Sequence, residues 1–316
     1  MRRVILDMDV GIDDAIAILY LAAREDAEIV ALGAVHGNCT AHDAARNALI
    51  VFETLGLDVP VALGAVKPLE QELSVASFVH GADGMGDAGF PDPKGAVTGE
   101  HAADQLIRLS LEHPGELDLL AVGPLTNLGV ALRKDPEVLA RLRSVVIMGG
   151  SGAYPPAGTL REVDANIDHD AAAAALVFAA PRNELVMVGV NVTSPAILDE
   201  EAAAALAASD TPAARLASAI LPFYLGFYQH KWGRRVCSMH DPLAAGILVD
   251  PTYATAWRQG PVNVVSDGFM ARAWLMERED GGPVSLPVTE APPTRVVDSA
   301  DWQRFGDELV TRLTQA

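Results

Sequence analysis

Short apolar runs of strand length alternate with longer segments of helical periodicity along much of the chain. The apolar runs lie at residues 4–6, 29–35, 117–122, 145–148 and 185–190, and the helical segments at 15–23, 44–55 and 171–180. This alternation is typical of parallel strands that are joined by helical crossovers. It predicts an α/β fold with a mostly parallel, open sheet flanked by helices, as in a Rossmann-like core.

The size of the chain favours one domain. It has 316 residues, half of them hydrophobic, which is enough for one large core. The sequence has no internal repeat and no linker long enough to force a boundary, so we expect a single domain over residues 1–316. Residues 200–219 are predicted to be a helix broken at Pro212, residues 220–232 a further helix, and the Gly- and Pro-rich residues 81–99 a long loop.

Charge and composition exclude several classes of partner. The net charge of -19 disfavours nucleic acid and anionic membranes, because like charges repel. No apolar run approaches the roughly 20 residues that cross a bilayer, so a soluble, cytoplasmic protein is expected. Cys39 and Cys237 are too few for a disulfide framework and lack the spacing of a zinc site.

Polar or glycine-rich turns follow the apolar runs. They lie at residues 7–9, 36–38, 123–124, 149–150 and 191. In open α/β sheets ligands bind beyond the carboxyl ends of the strands, so we expect these turns to meet at one crevice.

The first turn opens a cluster of four aspartates, Asp7, Asp9, Asp13 and Asp14, within eight residues. Strand alternation puts Asp7 and Asp9 on one face, and Gly11 allows a tight turn that brings the other two back. Carboxylates this close repel one another unless a cation neutralises them. A loose cage of oxygen ligands suits Ca²⁺ better than Mg²⁺, which predicts a calcium site. The alternative is that Asp13 caps a helix and Asp14 lies favourably in its dipole.

Two other classes of protein share parts of this pattern. An apolar strand followed by Asp-x-Asp also opens the haloacid dehalogenase-like phosphatases, in which Asp7 would be the nucleophile and Asp9 the acid. Those enzymes usually have Thr or Val where Gly11 stands, and we find no sign of their later lysine and acidic motifs. An EF-hand loop that began at Asp7 would need Gly and Glu in place of Ile12 and Ile18, so that assignment fails.

The aspartate segment resembles the N-terminal signature of the inosine-uridine nucleoside hydrolase family, Asp-x-Asp-Pro-Gly-x-Asp-Asp, with Val10 in place of the proline. Further landmarks of that family follow in order, at Gly37-Asn38, His80-Gly81-Ala82-Asp83-Gly84, residues 122–127, residues 146–150, Asp164-Ala165-Asn166-Ile167 and Met239-His240-Asp241-Pro242. The resemblance covers residues 4–250 approximately. It implies a nucleoside hydrolase-like fold and cleavage of the N-glycosidic bond of ribonucleosides, or of a related N-riboside, to free base and ribose.

Carried over by position, the resemblance implies a calcium ion bound by Asp9, Asp14, Asp241 and the backbone carbonyl of Val122. Asp7 would support the cluster or touch the ion weakly. The ion would anchor the sugar diol and position the attacking water.

The resemblance also implies which residues bind the sugar. Asp13, Asn166 and Asp241 would hold the 2′ and 3′ hydroxyl groups, with Asn38 beside them. Met148 would line the sugar pocket.

At the 5′ end of the sugar this sequence departs from the family. Asp164 stands where Glu is usual, Ala165 where an aromatic residue is usual, and Gly158 or Thr159 where Asn is usual. In the family that Asn and Glu hold the 5′ hydroxyl. We therefore expect Asp164 to face the substrate in a 5′ subsite, around residues 151–166, that differs from the usual one.

The chemistry of glycosidic cleavage requires two catalytic groups. Breaking the bond builds oxocarbenium character on the sugar and needs an activated water and help for the departing base. Ca²⁺ lowers the pKa of a bound water less than Zn²⁺ would, so a carboxylate base is needed, and Asp9 is our choice. His240, beside Asp241, is predicted to protonate the leaving base, because histidine titrates near neutral pH.

His80, in a Gly-rich loop, and Tyr228 with Trp232 are predicted to face the base. Helical spacing places Tyr228 and Trp232 on one side of a helix, and ordinary core packing is the alternative. Some members of the family protonate pyrimidines through a His and a Tyr at such places.

The sequence thus predicts a calcium-dependent hydrolase whose partner is a small nucleoside. A phosphatase and a non-catalytic homologue that binds nucleoside or calcium remain as alternatives. The family usually forms dimers or tetramers, so a homodimer or homotetramer is expected.

Overall fold

The computed structural model describes residues 1–156, 158–159, 163–266, 270–281 and 291–315. The strands are β1 Arg2–Met8, β2 Ala27–Ala34, β3 Val61–Leu63, β4 Thr98–His101, β5 Leu117–Ala121, β6 Ser144–Met148, β7 Ala153–Tyr154, β8 Leu185–Val188, β9 Ile197–Leu198, β10 Cys237–Ser238, β11 Ala254–Gly260, β12 Val262–Ser266, β13 Ala271–Arg278 and β14 Thr294–Ala300. The helices are α1 Ile12–Ala22, α2 Ala41–Leu55, α3 Ser77–His80, α4 Ala102–Glu112, α5 Thr126–Lys134, α6 Ala165–His169, α7 Ala171–Ala179, α8 Val190–Thr193, α9 Glu200–Ala207, α10 Pro212–Trp232, α11 His240–Val249 and α12 Trp302–Gln315.

The main sheet runs in the order β11-β14-β8-β6-β5-β1-β2-β3-β4. All neighbouring strands in it are parallel except the edge pair β11 and β14. Each predicted apolar run overlaps one of these strands. The predicted α/β fold with a mostly parallel, open sheet is therefore confirmed.

Helices cover both faces of this sheet, as the side chains of β1 illustrate. Val4, Leu6 and Met8 belong to one apolar core, which also contains residues of α1, α2, α10 and α11. Ile5 belongs to a second core, with residues of α4, α5 and α7. Successive side chains of a strand point to opposite faces, and a parallel sheet needs both faces covered.

The region of α9 and α10 differs in part from the prediction. The chain does break before Pro212, which occupies the first turn of α10 behind the capping side chain of Thr211. However, α10 then continues to Trp232 as one helix with Pro222 inside it, so the second predicted boundary is wrong. Pro222 lies on the exposed side of α10 while the opposite side packs in the core, and this packing outweighs the lost hydrogen bond. None of the helices in the described ranges has the length and hydropathy of a bilayer span.

The strand order reverses between β1 and β5. Strands β2 to β4 lie on one side of this point, and β6, β8 and β14 lie on the other. The pairing of β1 with β5 ends at Asp7 opposite Ala121, so Asp9 and Val122 leave the sheet side by side. In open α/β sheets this is the place where ligands bind.

Candidate active site

A cavity of about 570 Å³ lies at the reversal point. Its walls come from segments that are distant in sequence, and its volume suits a small organic ligand. Ten of the predicted site residues line it, namely Asp13, Asn38, His80, Val122, Met148, Asp164, Asn166, Tyr228, His240 and Asp241.

Asp9 and Asp14 lie directly behind Asn38 and are completely buried. The backbone N–H of Asn38 donates to Asp9 Oδ2 at 2.6 Å, and its side-chain amide donates to Asp14 Oδ2 at 2.9 Å. The N–H of Gly11 donates to the same Asp14 oxygen at 2.8 Å. Gly37 has a φ of 151°, and a Cβ there would collide with the Asp9 carboxylate. Glycine is therefore needed where the loop after β2 closes over Asp9.

Asp13, Asp14 and Asp241 come together at the start of two helices. Each offers a carboxylate oxygen, and these oxygens lie within 4.8 Å of one another. Asp13 and Asp14 are in the first turn of α1 and Asp241 is in the first turn of α11, where the helix dipoles favour negative charge. These three residues could hold a metal ion.

Each aspartate of the N-terminal cluster keeps one oxygen without a hydrogen bond. The Oδ1 atoms of Asp7, Asp9, Asp13 and Asp14 are buried and have no partner among the described residues. A buried carboxylate oxygen without a partner is costly, and a cation would satisfy it. An all-oxygen donor set fits a hard divalent ion.

Burial raises the pKa of every carboxyl in this cluster. The pKa of Asp7 rises to about 7, that of Asp13 to about 8 and that of Asp14 to about 6, in each case chiefly through desolvation. For Asp9 and Asp241, burial and the neighbouring carboxylates together hold the pKa well above the ordinary value. The protein alone therefore stabilises these groups poorly as anions, and a bound cation would favour their charged forms.

Asp7 is set apart from the other aspartates. Its Oδ2 accepts a hydrogen bond from Asn127 Nδ2 at 2.9 Å, and Asn127 also donates to the carbonyl of Ala34. Desolvation raises its pKa, with no contribution from the other aspartates. Asp7 is buried and does not line the cavity, a position that suits a supporting group better than a phosphatase nucleophile.

Asn166 links the carboxyl ends of β5 and β6 in the wall of the cavity. Its Nδ2 donates to the carbonyl of Val122 at 2.6 Å and to that of Met148 at 3.1 Å, and lies 3.4 Å from Met148 Sδ. A carbonyl oxygen has two lone pairs, so Val122 can accept from Asn166 and still face a cation.

His240, the first residue of α11, is bound at both ring nitrogens. Nδ1 lies 2.7 Å from Thr193 Oγ1, and Nε2 lies 2.9 Å from the Tyr228 hydroxyl. The Tyr228 ring packs edge-on against Tyr224, whose hydroxyl donates to Asp13 Oδ2 at 3.2 Å. A chain of polar side chains thus connects His240 with the aspartates.

His80 is buried and neutral. Its Nδ1 accepts the backbone N–H of Ile12 at 3.1 Å, so the ring carries its proton on Nε2. Burial, with a smaller effect of His240, lowers the pKa of His80 to about 3. The 3.9 Å distance from His80 Nδ1 to Asp13 Oδ1 is therefore not an ion pair at neutral pH.

Nearly the whole chain matches one known protein family. The family described as inosine-uridine preferring nucleoside hydrolase matches residues 4–307. The chain belongs to this family. It is a hydrolase that acts on the N-glycosidic bond of ribonucleosides, and the sequence resemblance is confirmed.

Relatives of this nucleoside hydrolase cover most of its length. It is 37% identical over 272 residues to probable uridine nucleosidase 2 of Oryza sativa subsp. japonica, covering 85% of this chain and 80% of the relative. It is 33% identical over 310 residues to the inosine-uridine preferring nucleoside hydrolase of Crithidia fasciculata, covering 96% and 95%. A solved plant nucleoside hydrolase superposes with a TM-score of 0.89 at 30% identity, covering 100% and 99%. A purine-preferring ribonucleoside hydrolase from Gardnerella vaginalis superposes with a TM-score of 0.87 at 28% identity, and the match covers 99% of this chain and 98% of that one.

Trp232, which was predicted to face the base, lies outside the cavity of the hydrolase. Trp232 does not line the cavity, because it packs behind Tyr228 with ring centroids 4.4 Å apart. The stripe of α10 that lines the cavity is Tyr224, Phe227, Tyr228 and Lys231, spaced three and four residues apart. Trp232, the last residue of α10, follows Lys231 and is not part of this stripe. The prediction that Trp232 faces the base is therefore wrong.

Asp164 lines the cavity, yet its carboxylate caps α6. Its oxygens accept the backbone N–H groups of Asn166, Ile167 and Gly150 at 3.3, 2.9 and 2.9 Å. Burial nevertheless raises the pKa of Asp164, to about 6. The expectation for residues 151–166 falls in part on 157 and 160–162, which lie outside the described residues.

Two residues that hydrogen-bond to predicted site residues were not themselves predicted from the sequence. Tyr224, which donates to Asp13, lies one helical turn before Tyr228, so that spacing was an available signal. Thr193, the partner of His240, carried no signal, because the two residues are 47 positions apart.

Proposed function

We propose that this nucleoside hydrolase depends on calcium and releases free base and ribose from a ribonucleoside, or from a related N-riboside, held in the cavity. The observation that supports this most is the set of buried carboxylate oxygens without hydrogen-bond partners, which includes one oxygen of each of the proposed ligands Asp9 and Asp14, in a cluster that Asp241 completes. Helix capping would not leave such a set unsatisfied.

The proposed ligands of the ion are Asp9, Asp14, Asp241 and the carbonyl of Val122, with Asp7 supporting them from behind. The donors are all oxygen atoms, which favours Ca²⁺ over Zn²⁺, an ion that prefers nitrogen and sulfur ligands. When bound, Ca²⁺ would hold the sugar diol and the attacking water.

The side chains that line the same end of the cavity would bind the diol. Asp13 accepts from Tyr224 at Oδ2 and keeps Oδ1 for a sugar hydroxyl. Asp241 lies close to it, and Asn166 and Asn38 line the same cavity, so both the 2′ and the 3′ hydroxyl would find partners. Met148 would pack against the sugar ring.

Asp9 is the proposed general base. Its Oδ2 accepts from the Asn38 N–H, which fixes the carboxylate and leaves Oδ1 to take the proton of the attacking water. The negative charge of the cluster would also stabilise the oxocarbenium character of the sugar in the transition state.

His240 is the proposed proton donor to the leaving base. It lines the cavity with Tyr228, and a protonated ring nitrogen near the base would make the base a better leaving group. His80, with its proton on Nε2, would donate a hydrogen bond to the base.

We also propose one domain over residues 1–316 and a homodimer or homotetramer. The main sheet uses strands from β1 to β14, so both ends of the chain contribute to one sheet. Light scattering after size-exclusion chromatography measures the oligomer.

A product assay tests the proposal. Inosine, uridine, adenosine and cytidine are incubated with the protein with and without EDTA, and the products are separated by chromatography. We expect free base and ribose as products without EDTA and no products with EDTA. We expect no p-nitrophenol to be released from p-nitrophenyl phosphate. Phosphate release would support the phosphatase alternative, whereas binding without turnover would indicate a non-catalytic homologue.

A further inference from the structure

His240 is held on two sides by residues of different character. Tyr228, which contacts Nε2, lines the cavity. Thr193, which contacts Nδ1 at the shorter distance of 2.7 Å, is completely buried and does not line the cavity. Thr193 therefore cannot touch a substrate, and its one evident contact with the site is the His240 ring.

The position of Thr193 is fixed by its own segment. Its backbone N–H donates to the carbonyl of Gly189 at 3.1 Å, which closes the short helix α8. The indole N–H of Trp302 donates to the carbonyl of Val192 at 2.7 Å, so the C-terminal helix α12 holds the same turn. The hydroxyl of Thr193 thus has little freedom to move away from His240.

The segments that carry Thr193 and His240 are also joined to each other. Ser238 Oγ donates to the carbonyl of Ser194 at 2.8 Å, and the N–H of Met239 donates to the carbonyl of Ala196 at 2.7 Å. Next to these bonds, β9 pairs with β10. Two backbone links and one side-chain link therefore set the distance between Thr193 and His240, independently of the threonine hydroxyl.

We propose that Thr193 is a positioning residue for protonation of the leaving base. A histidine that donates a proton from Nε2 carries protons on both ring nitrogens, and Thr193 Oγ1 accepts the one on Nδ1. In the transfer the Tyr228 hydroxyl, 2.9 Å from Nε2, gives its proton to the base, where an N–H or O–H bond forms, and takes the Nε2 proton of His240 in return, while the electron pair of the glycosidic bond moves to the base. The Nδ1 proton stays on the hydrogen bond to Thr193. This inference rests on the role proposed for His240.

Thr193→Val tests the hydroxyl, because valine keeps the shape and removes the acceptor. The Nδ1–H of His240 would then be buried without a partner. We expect kcat for a ribonucleoside to fall on the order of 10- to 100-fold, the equivalent of one hydrogen bond to a charged group, with KM little changed. Hydrolysis of p-nitrophenyl riboside, whose leaving group departs without protonation, should keep its rate. Thr193→Ser restores a hydroxyl and should recover most of the lost kcat.

Thr294→Val is the matched control. Thr294 is as buried as Thr193 and also uses its hydroxyl as an acceptor, from Arg182 Nη2 at 2.9 Å, but it lies on β14 outside the cavity. We expect this variant to keep kcat on both substrates.

The decisive experiment repeats Thr193→Val in a His240→Ala background. If Thr193 acts only through His240, the second change should cause no further loss of kcat on the nucleoside. A full additional loss, or equal losses on the nucleoside and on p-nitrophenyl riboside, would assign Thr193 to general structure and overturn the proposal. If His240→Ala alone slows both substrates equally, the proton-donor role itself is wrong and the inference falls with it. If His240→Ala discriminates and Thr193→Val has no effect, only the role of Thr193 is overturned.

Discussion

The two ends of the cavity are held by different kinds of contact. The aspartate end consists of Asp9, Asp13, Asp14 and Asp241, and the base end of Tyr224, Tyr228 and His240. At the aspartate end backbone N–H groups bind the two deepest carboxylates, whereas at the base end side chains bind side chains. Backbone contacts depend on the path of the chain, while side-chain contacts change with single substitutions. We infer that the aspartate end performs a fixed task for every substrate and that the base end responds to the leaving group.

The largest effect should come from Asp9→Asn. This change damages the proposed base and a proposed metal ligand together, so kcat should fall on the order of 100-fold or more. Because both substrates present the same ribose and are attacked by the same water, the loss should be similar for a nucleoside and for p-nitrophenyl riboside. Asp210→Asn, at a side chain that is 95% exposed, is the control. A near-normal kcat with an intact fold would move the base elsewhere.

His240→Ala should impair the function of the base end and leave that of the aspartate end intact. Removing the proton donor should slow nucleosides on the order of 100-fold and spare p-nitrophenyl riboside, which departs without protonation. His230→Ala, at an exposed residue of α10, should change neither rate. Equal losses on both substrates would instead assign His240 to binding or structure.

The smallest effect should appear at the 5′ end of the sugar. Asp164 uses its oxygens on backbone N–H groups and Gly158 has no side chain, so we expect a weak grip on the 5′ hydroxyl. Its removal should cost about 1 kcal/mol in kcat/KM, the usual value of one hydrogen bond. Removing the 2′ hydroxyl should lower kcat/KM far more, because Asp13 and Asp241 are proposed to bind the diol. A 5′-deoxy penalty as large as the 2′-deoxy penalty would show a complete 5′ subsite.

The aspartate end was predictable because its signal is local. Four carboxylates within eight residues are close together in the sequence itself and repel one another where the fold keeps them close, so the spacing alone predicts a candidate cation site. The parallel sheet was predictable for a similar reason, since the periodicity of each segment is local. Asp241 is distant in sequence, and only the resemblance to the family connected it with this cluster.

The base end was only partly predictable because its contacts are long-range. His240 meets Thr193 only after β9 and β10 pair, and no local pattern encodes that. Trp232 was misplaced because a spacing of four residues defines a side of the helix but not which part of that side faces the cavity. The capping role of Asp164 was visible in principle, since Asp commonly caps a following helix, but the resemblance drew attention to a substrate role.

The most direct test of the account measures metal, activity and stability on one preparation. The protein as purified should contain about one calcium per chain, because the carboxylate cluster is otherwise self-repelling. Dialysis against EDTA should abolish nucleoside hydrolysis and lower the Tm, since a ligand that binds only the folded state stabilises it, and added CaCl₂ should restore both. Zinc in place of calcium, or undiminished activity in metal-free protein, would contradict the account.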